Sequence, residues 1–318
     1  MNSHCKEEMI VPAITFVGLD ISKARLDSRV AAGPPREDDN TPGGHAAFIA
    51  YLRGFTRPRV ICEATGGYEK AVVAALLEAG IEVCVVQPAR VRHFARAEGL
   101  HAKTDRIDAQ LLARFGQRML PRLELPAEPA AAKLREMLEF RRVLSDQAME
   151  TSARLETAAG YLREKLQTLL GELKSAMAAV DADIAAHVAS DPGIATKAKR
   201  LRQLCGVGPV LAATLLAYLP ELGTVSGKTI ASLVGVAPHP DDSGNRSRKR
   251  RVEGGRGCVR HVLYMAAVAA ARSNAILKGF YKRLRDKGKP AKVAIVAVMR
   301  KMLAVLNRLI ADPDFSLA

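Results

Sequence analysis

Four acidic residues, Asp20, Glu63, Asp105 and Asp108, stand in separate stretches of the 318-residue chain, and Ser243 follows them in an arginine-rich segment. Carboxylates drawn from different elements can hold two divalent cations about 4 Å apart against a phosphodiester. A serine hydroxyl brought to the same phosphorus would attack it and carry the severed strand. The chemistry to expect is DNA strand exchange. A covalent phosphoserine keeps the energy of the broken bond, so rejoining needs no ATP, and the chain has no Gly-x-x-x-x-Gly-Lys-Ser/Thr loop.

Singly, these residues carry little. An acid is more often a solvated or capping side chain than a ligand, and a serine before a glycine, as in Ser243-Gly244, more often makes a turn hydrogen bond. Asp20 is more informative, because it closes the apolar run Ile14 to Leu19, where an unpaired buried charge is costly; it must face a cleft or a cation.

The elements that would position these groups can be read from periodicity. Ile14 to Asp20 is a β-branched, apolar strand, Leu26 to Ala32 a second strand making a hairpin with it, and Gly33 to Gly44 a turn region. A short helix over Ala46 to Leu52 leads to a buried strand, Arg59 to Glu63. After the Thr65-Gly66-Gly67 turn come a helix over Lys70 to Ala79 and an apolar strand, Ile81 to Val86. Strands alternating with helices argue for an α/β sheet covered on its faces. Thr104 or Asp105 would cap a helix reaching about Arg118, with Asp105 and Asp108 on one side of it.

Pro121, Pro126 and Pro129 mark a boundary. Beyond it Leu155, Ala159, Leu162, Leu166, Leu169, Leu173, Ala176 and Val180 step by four and three, the seam of a coiled coil or of one helix in a bundle. From Ala198 the chain reads as mainly α-helical. Gly206-Val207-Gly208-Pro209 has the look of a helix-hairpin-helix turn, whose backbone N–H groups suit phosphate, although a plain turn between helices fits equally. A helix over Ile230 to Val236 ends at Pro238. A polar loop, Asp241 to Arg260, then carries Arg246, Arg248, Lys249, Arg250, Arg251, Arg256 and Arg260, and helices over His261 to Arg272 and Ala291 to Ile310 close the chain. The expected domains are 1–120, 121–197 and 198–318.

The net charge of +15 and pI near 9.8 favour a polyanionic partner, nucleic acid before acidic protein or membrane. No run of about 18 apolar residues is present, and Met1 to Glu8 does not resemble an export signal, which points to the cytoplasm. Five scattered cysteines without a Cys-x-x-Cys pair argue against disulfides and structural zinc.

Taken together, Val17-Gly18-Leu19-Asp20-Ile21-Ser22-Lys23, Cys62-Glu63-Ala64-Thr65-Gly66 and Lys103-Thr104-Asp105-Arg106-Ile107-Asp108-Ala109 resemble the DEDD domain of transposases of the insertion sequence 110 family. Gly206 to Pro209, Leu233 to Pro238, Asp242-Ser243-Gly244 and Gly254 through Arg260 to Ala267 resemble the second domain of that family, in the same order. The resemblance implies an RNase H-like fold of the RuvC type for the N-terminal domain, with Asp20, Glu63, Asp105 and Asp108 as Mg2+ ligands, Mn2+ being an alternative, and Ser243 as nucleophile. It implies a structured noncoding bridge RNA as partner beside the DNA of element ends and target. It also implies a homodimer or homotetramer whose sites combine carboxylates of one protomer with the serine of another. Lys103, the basic loop residues, Gly206 and Gly208 are the expected nucleic-acid contacts. Two other readings stand beside this one: a junction-type endonuclease in which water attacks, and a non-catalytic nucleic-acid-binding protein.

Overall fold

The computed structural model describes residues 13–31, 33–99, 105–124, 128–239, 242–243, 246–247, 251–252 and 254–317, with 105–108, 239, 242–243, 246–247 and 251 described by their backbone path. The chain divides into two compact units, Met1–Pro126 and Ala127–Ala318.

In the first unit, β1 (Thr15–Ile21) and β2 (Arg25–Val30) form the expected hairpin. The segment read as a turn region instead holds a further antiparallel strand, β3 (Pro35–Asp39). Its Pro-Arg-Glu-Asp-Asp sequence hides it from hydrophobic patterning, yet suits a sheet edge, where charge discourages pairing with other chains and a missing proline donor is tolerated. Arg36 and Asp38 brace it through a bidentate pair of 2.7 and 2.6 Å.

The chain continues through α1 (Pro42–Leu52), β4 (Pro58–Glu63), α2 (Glu69–Glu78), β5 (Glu82–Val86), α3 (Pro88–Ala97) and α4 (Asp105–Met119). Strand order is β3-β2-β1-β4-β5, with β4 parallel to both β1 and β5. Helix α3 is not legible in the sequence: its one fully buried apolar position, Val91, is too faint a stripe among arginines. Alternation along the strands divides the core. Val17, Leu19, Ile21, Val60 and Cys62 meet Phe48, Leu52, Val72 and Leu76 of α1 and α2. Phe16, Ile61, Cys84 and Val86 meet Val91, Leu111, Leu112 and Phe115 of α3 and α4. Each fully buried Leu or Phe contributes about 1.5–3 kcal/mol. Burial also pushes the Cys62 thiol well above its usual range and that of Cys84 up to about 11, so both are inert core groups.

One contact sets the depth of α4. A Cβ on Gly18 would lie 1.8 Å from the Ala109 carbonyl oxygen and 2.7 Å from the Ala113 nitrogen. The helix backbone therefore rests directly on β1, an approach that only glycine permits.

The second unit opens with an antiparallel hairpin, α5 (Pro129–Thr157) and α6 (Gly160–Ser190). The seam starting at Leu155 does not run on one helix. Ala158 and Ala159 are extended, so Leu155 ends α5 while Leu162 to Val180 belong to α6. Leu134, Leu138 and Leu144 face Leu173, Val180 and Ile184, so the base of the hairpin uses the seam internally. Arg141 pairs with Asp181 at 2.5 Å, and the His187 ring donates to the Ala130 carbonyl at 2.8 Å. Towards the turn, Met149, Tyr161, Leu162 and Leu169 are exposed.

Then come α7 (Pro192–Leu201), α8 (Pro209–Tyr218) and α9 (Gly227–Val234). The expected polar loop contains two nested two-residue ladders, β6 (Pro238–His239) with β9 (Arg251–Val252), and β7 (Asp242–Ser243) with β8 (Arg246–Ser247). Helices α10 (Gly257–Ser273), α11 (Ala275–Asp286) and α12 (Ala291–Ala311) end the unit. They enclose a core in which Leu201, Leu215, Val234, Leu263, Val298 and Leu306 are buried. No helix among the described residues is long and apolar enough to cross a membrane.

Gly18→Ala is expected to destabilise the first unit by about 3 kcal/mol, because α4 must lift from the sheet. Urea denaturation followed by circular dichroism measures this; an unchanged midpoint would mean that α4 is not seated on β1.

Candidate active site

Strand register decides where the first two acids lie. Leu19 pairs with Cys62, so Asp20 and Glu63 sit one step further along the adjacent parallel strands β1 and β4. Ile61 faces α3 and α4, and Gly18 lies under α4; alternation puts Asp20 and Glu63 on that same face. Both are partly buried at the strand ends. One carboxylate oxygen of Asp20 accepts the Ile21 backbone N–H at 3.0 Å.

Asp105 and Asp108 lie in the first turn of α4, and the next residue, Ala109, is the one whose carbonyl rests over Gly18. The helix backbone is thus brought to the carboxyl end of β1. The side chains of Asp105 and Asp108 are outside the described residues, as is Lys103. Among the described residues no three His, Cys, Asp or Glu side chains gather closely enough to hold a metal. Asp20 and Glu63 carry hard oxygen donors of the kind that Mg2+ or Mn2+ takes, so the donor chemistry of these two residues fits such an ion.

Two further acids here escape the sequence reading. Asp27 stands directly opposite Asp20 across the β1–β2 ladder, hence on the same face. Like charges so placed repel, which a cation or basic group nearby relieves. A signal for it exists in the sequence: a hairpin turning at Ser22 to Ala24 fixes Asp27 as the partner of Asp20. Glu69 organises the loop after Glu63. Its Oε2 accepts the Thr65 N–H at 3.1 Å, the Thr65 hydroxyl at 2.9 Å and the Gly67 N–H at 2.8 Å. Partial burial raises the Glu69 pKa, but these hydrogen bonds outweigh it and hold it below the usual range. A capping carboxylate of this kind resembles any helix-start glutamate in the sequence, so nothing there singles it out.

In the second unit Ser243 lies on β7, paired with Arg246 of β8. Arg248, Lys249 and Arg250 are outside the described residues, as are the side chains of Ser243, Arg246 and Arg251. Arg256 and Arg260, two of the expected nucleic-acid contacts, are engaged within the fold. Arg256 forms a bidentate pair of 2.6 and 2.8 Å with Glu221, a carboxylate only 7% exposed. Arg260 donates to the carbonyls of Val234, Gly235 and Gly254, tying the end of α9 to the glycine pair Gly254-Gly255. The Gly-x-Gly turn also separates into two roles. A Cβ on Gly206, whose φ is +101°, would meet Ala270 at 2.5 Å, so this glycine serves the packing of α10. A Cβ on Gly208 would meet nothing within 4 Å among the described residues, and this glycine precedes α8 without a side-chain cap.

Comparison with known proteins supplies the class. Residues 17–160 match the DEDD model of IS110 described as a transposase, and residues 198–282 match the model described as the transposase IS116/IS110/IS902 family. Pilin gene-inverting proteins of Moraxella lacunata and Moraxella bovis are each 27% identical to this chain over 303 residues, covering 92% of it and 94% of the relative. The chain belongs to the IS110 family of transposases, enzymes that recombine DNA.

Two outcomes test the local assignments. Glu69→Gln should release the Thr65 and Gly67 amides to fast hydrogen exchange, read by mass spectrometry. In the unaltered protein their protection should persist at pH values above the ordinary glutamate range and fade only as pH falls through the lowered Glu69 value, since protonation removes the acceptor. Arg256→Ala should cost about 3–5 kcal/mol of stability by removing the bidentate partner of the buried Glu221 carboxylate. An unchanged melting temperature would assign Arg256 to nucleic acid instead.

Proposed function

We propose that this transposase cuts and rejoins DNA through a phosphoserine at Ser243, with Asp20, Glu63, Asp105 and Asp108 holding Mg2+ or Mn2+. The observation that carries the reading is the register that sets Asp20 beside Glu63 on the sheet face lying under the start of α4. The strand order β3-β2-β1-β4-β5, with an antiparallel hairpin and a parallel remainder, supports an RNase H-like fold of the RuvC type for the first unit.

A divalent cation in this site would supply Lewis-acid stabilisation of the charge that builds on the transferring phosphoryl group. The protein's own groups do the rest. The carboxylates orient the site and set its polarity. The Ser243 oxygen forms a bond to phosphorus as the bond to the leaving strand oxygen breaks; the proton lost by the hydroxyl is balanced by the one the leaving oxygen gains. Reversal with a different strand end restores a phosphodiester. Arginines of the Asp241 to Arg260 loop offset phosphate charge.

Both relatives are named for inverting pilin genes, and we read this chain likewise as joining two DNA sites, with a bridge RNA as guide and element ends and target as substrates. The net charge of +15 accommodates both nucleic acids. The exposed apolar residues Met149, Tyr161, Leu162 and Leu169 suit contact between copies in a dimer or tetramer.

The test is adduct trapping: protein, element-end DNA and Mg2+ are quenched in denaturant and resolved by electrophoresis. A covalent protein–DNA band should form, map to a Ser243 phosphopeptide, and vanish in Ser243→Ala. Asp20→Ala should reduce it by at least about a hundredfold with DNA affinity retained. Free 5′-phosphate ends without an adduct would replace the serine mechanism with water attack. Unaltered processing by Asp20→Ala would remove the catalytic role of the cluster.

A further inference from the structure

Resting on the DNA reading above, we propose that α11, together with the end of α10, forms a second DNA-docking surface that grips the backbone of duplex DNA with residues outside the serine loop. Between Arg272 and Lys301 the chain carries ten Lys and Arg residues and a single acid, Asp286. The helix sorts them. Leu277 is buried, Phe280, Tyr281 and Leu284 are partly buried, and Lys278, Lys282, Arg283 and Arg285 are exposed. Arg272, Lys278, Tyr281, Lys282 and Arg285 line one shallow groove of about 360 Å³ beside Ala271.

Charges on a solvated helix are ordinary, and four features set this face apart. Its cations converge on one concavity. Among the described residues none of Arg272, Lys278 and Lys282 takes part in an ion pair; Arg285 donates only to the Lys289 carbonyl, at 2.6 Å. Among the described residues a Cβ added to mid-helix Gly279 would meet nothing within 4 Å, so no contact with them requires this glycine. It costs about 1 kcal/mol relative to alanine yet leaves the helix surface low enough for another backbone to approach closely. The fourth feature is spacing. From Lys278 to Arg285 the helix rises about 10 Å, the axial rise of about three phosphates on one strand of B-form DNA. Arg256 and Arg260 of the serine loop are meanwhile held by Glu221 and by backbone carbonyls. Duplex DNA is the occupant to choose because it is the substrate of the family's reaction, and a row of point charges on a rigid helix contacts backbone without reading bases.

The experiment uses the full chain and a random-sequence DNA duplex in EDTA, with affinity measured by fluorescence anisotropy from about 50 to 300 mM NaCl, the range over which phosphate contacts dominate the salt response. Without divalent ions it does not read the chemistry at Ser243. Arg272→Ala/Lys278→Ala/Lys282→Ala should weaken binding at least about tenfold and lower the slope of log K against log salt by about 2 to 3, at about 0.9 per phosphate contact. Lys278→Arg/Lys282→Arg should keep the wild-type slope, and melting temperatures should not change, since all three side chains are exposed. Wild-type affinity and slope in the triple variant would overturn the proposal, as would a loss confined to an RNA duplex of equal length. If the serine mechanism alone is wrong, processing with Mg2+ gives free 5′-phosphate ends without an adduct, or an adduct that survives Ser243→Ala, while the α11 slope change persists.

Discussion

The backbone of α4 lies against β1 because Gly18 has no side chain, and the geometry of the first unit depends on that contact. A methyl group there would occupy the position of the Ala109 carbonyl. Leu111, Leu112 and Phe115 then pack onto Phe16 and Ile61, so the apolar half of the helix anchors it while its acidic first turn reaches the end of β1. Hydrophobic burial supplies the energy of this seat; the missing side chain sets its depth.

The same sheet solves the problem of placing carboxylates next to one another. Asp20, Asp27 and Glu63 are distant or unremarkable in sequence, yet a shared face results from one hairpin register and one parallel register. Acids gathered at strand ends repel each other, and a fold retains such strain where an ion or a basic partner offsets it. Glu69 shows the complementary device. It commits a partly buried carboxylate to the Thr65–Gly67 turn, holding the chain that leaves Glu63.

In the second unit positive charge is divided between structure and surface. Arg256 is enclosed against Glu221, Arg260 ties α9 to the glycine pair, and Arg200 donates to the carbonyls of Leu309 and Asp312 near the chain end. These guanidiniums satisfy backbone and carboxylate acceptors that would otherwise be stranded. On the exposed face of α11, Lys278 and Lys282 have no such duty among the described residues, while Arg285 donates to the Lys289 carbonyl. A basic composition therefore says that a polyanion is the partner, but which cations meet it depends on which ones the fold has already used.

The amino-acid sequence by itself determined the class of elements in the first unit, the strand-end positions of Asp20 and Glu63, the helix bearing Asp105 and Asp108, and the mainly helical character of the chain beyond Pro129. These are local: periodicity, caps and proline breaks act over a few residues. Tertiary structure decided what depends on partners distant in the chain. It made an edge strand of Pro35–Asp39, folded the seam after Leu155 back on itself at Ala158, and put Asp27 opposite Asp20. It also gave Gly206 to the packing of α10 and Arg256 to Glu221. No local pattern encodes these, because each is settled by which surface becomes available once the rest of the chain has buried its apolar side chains.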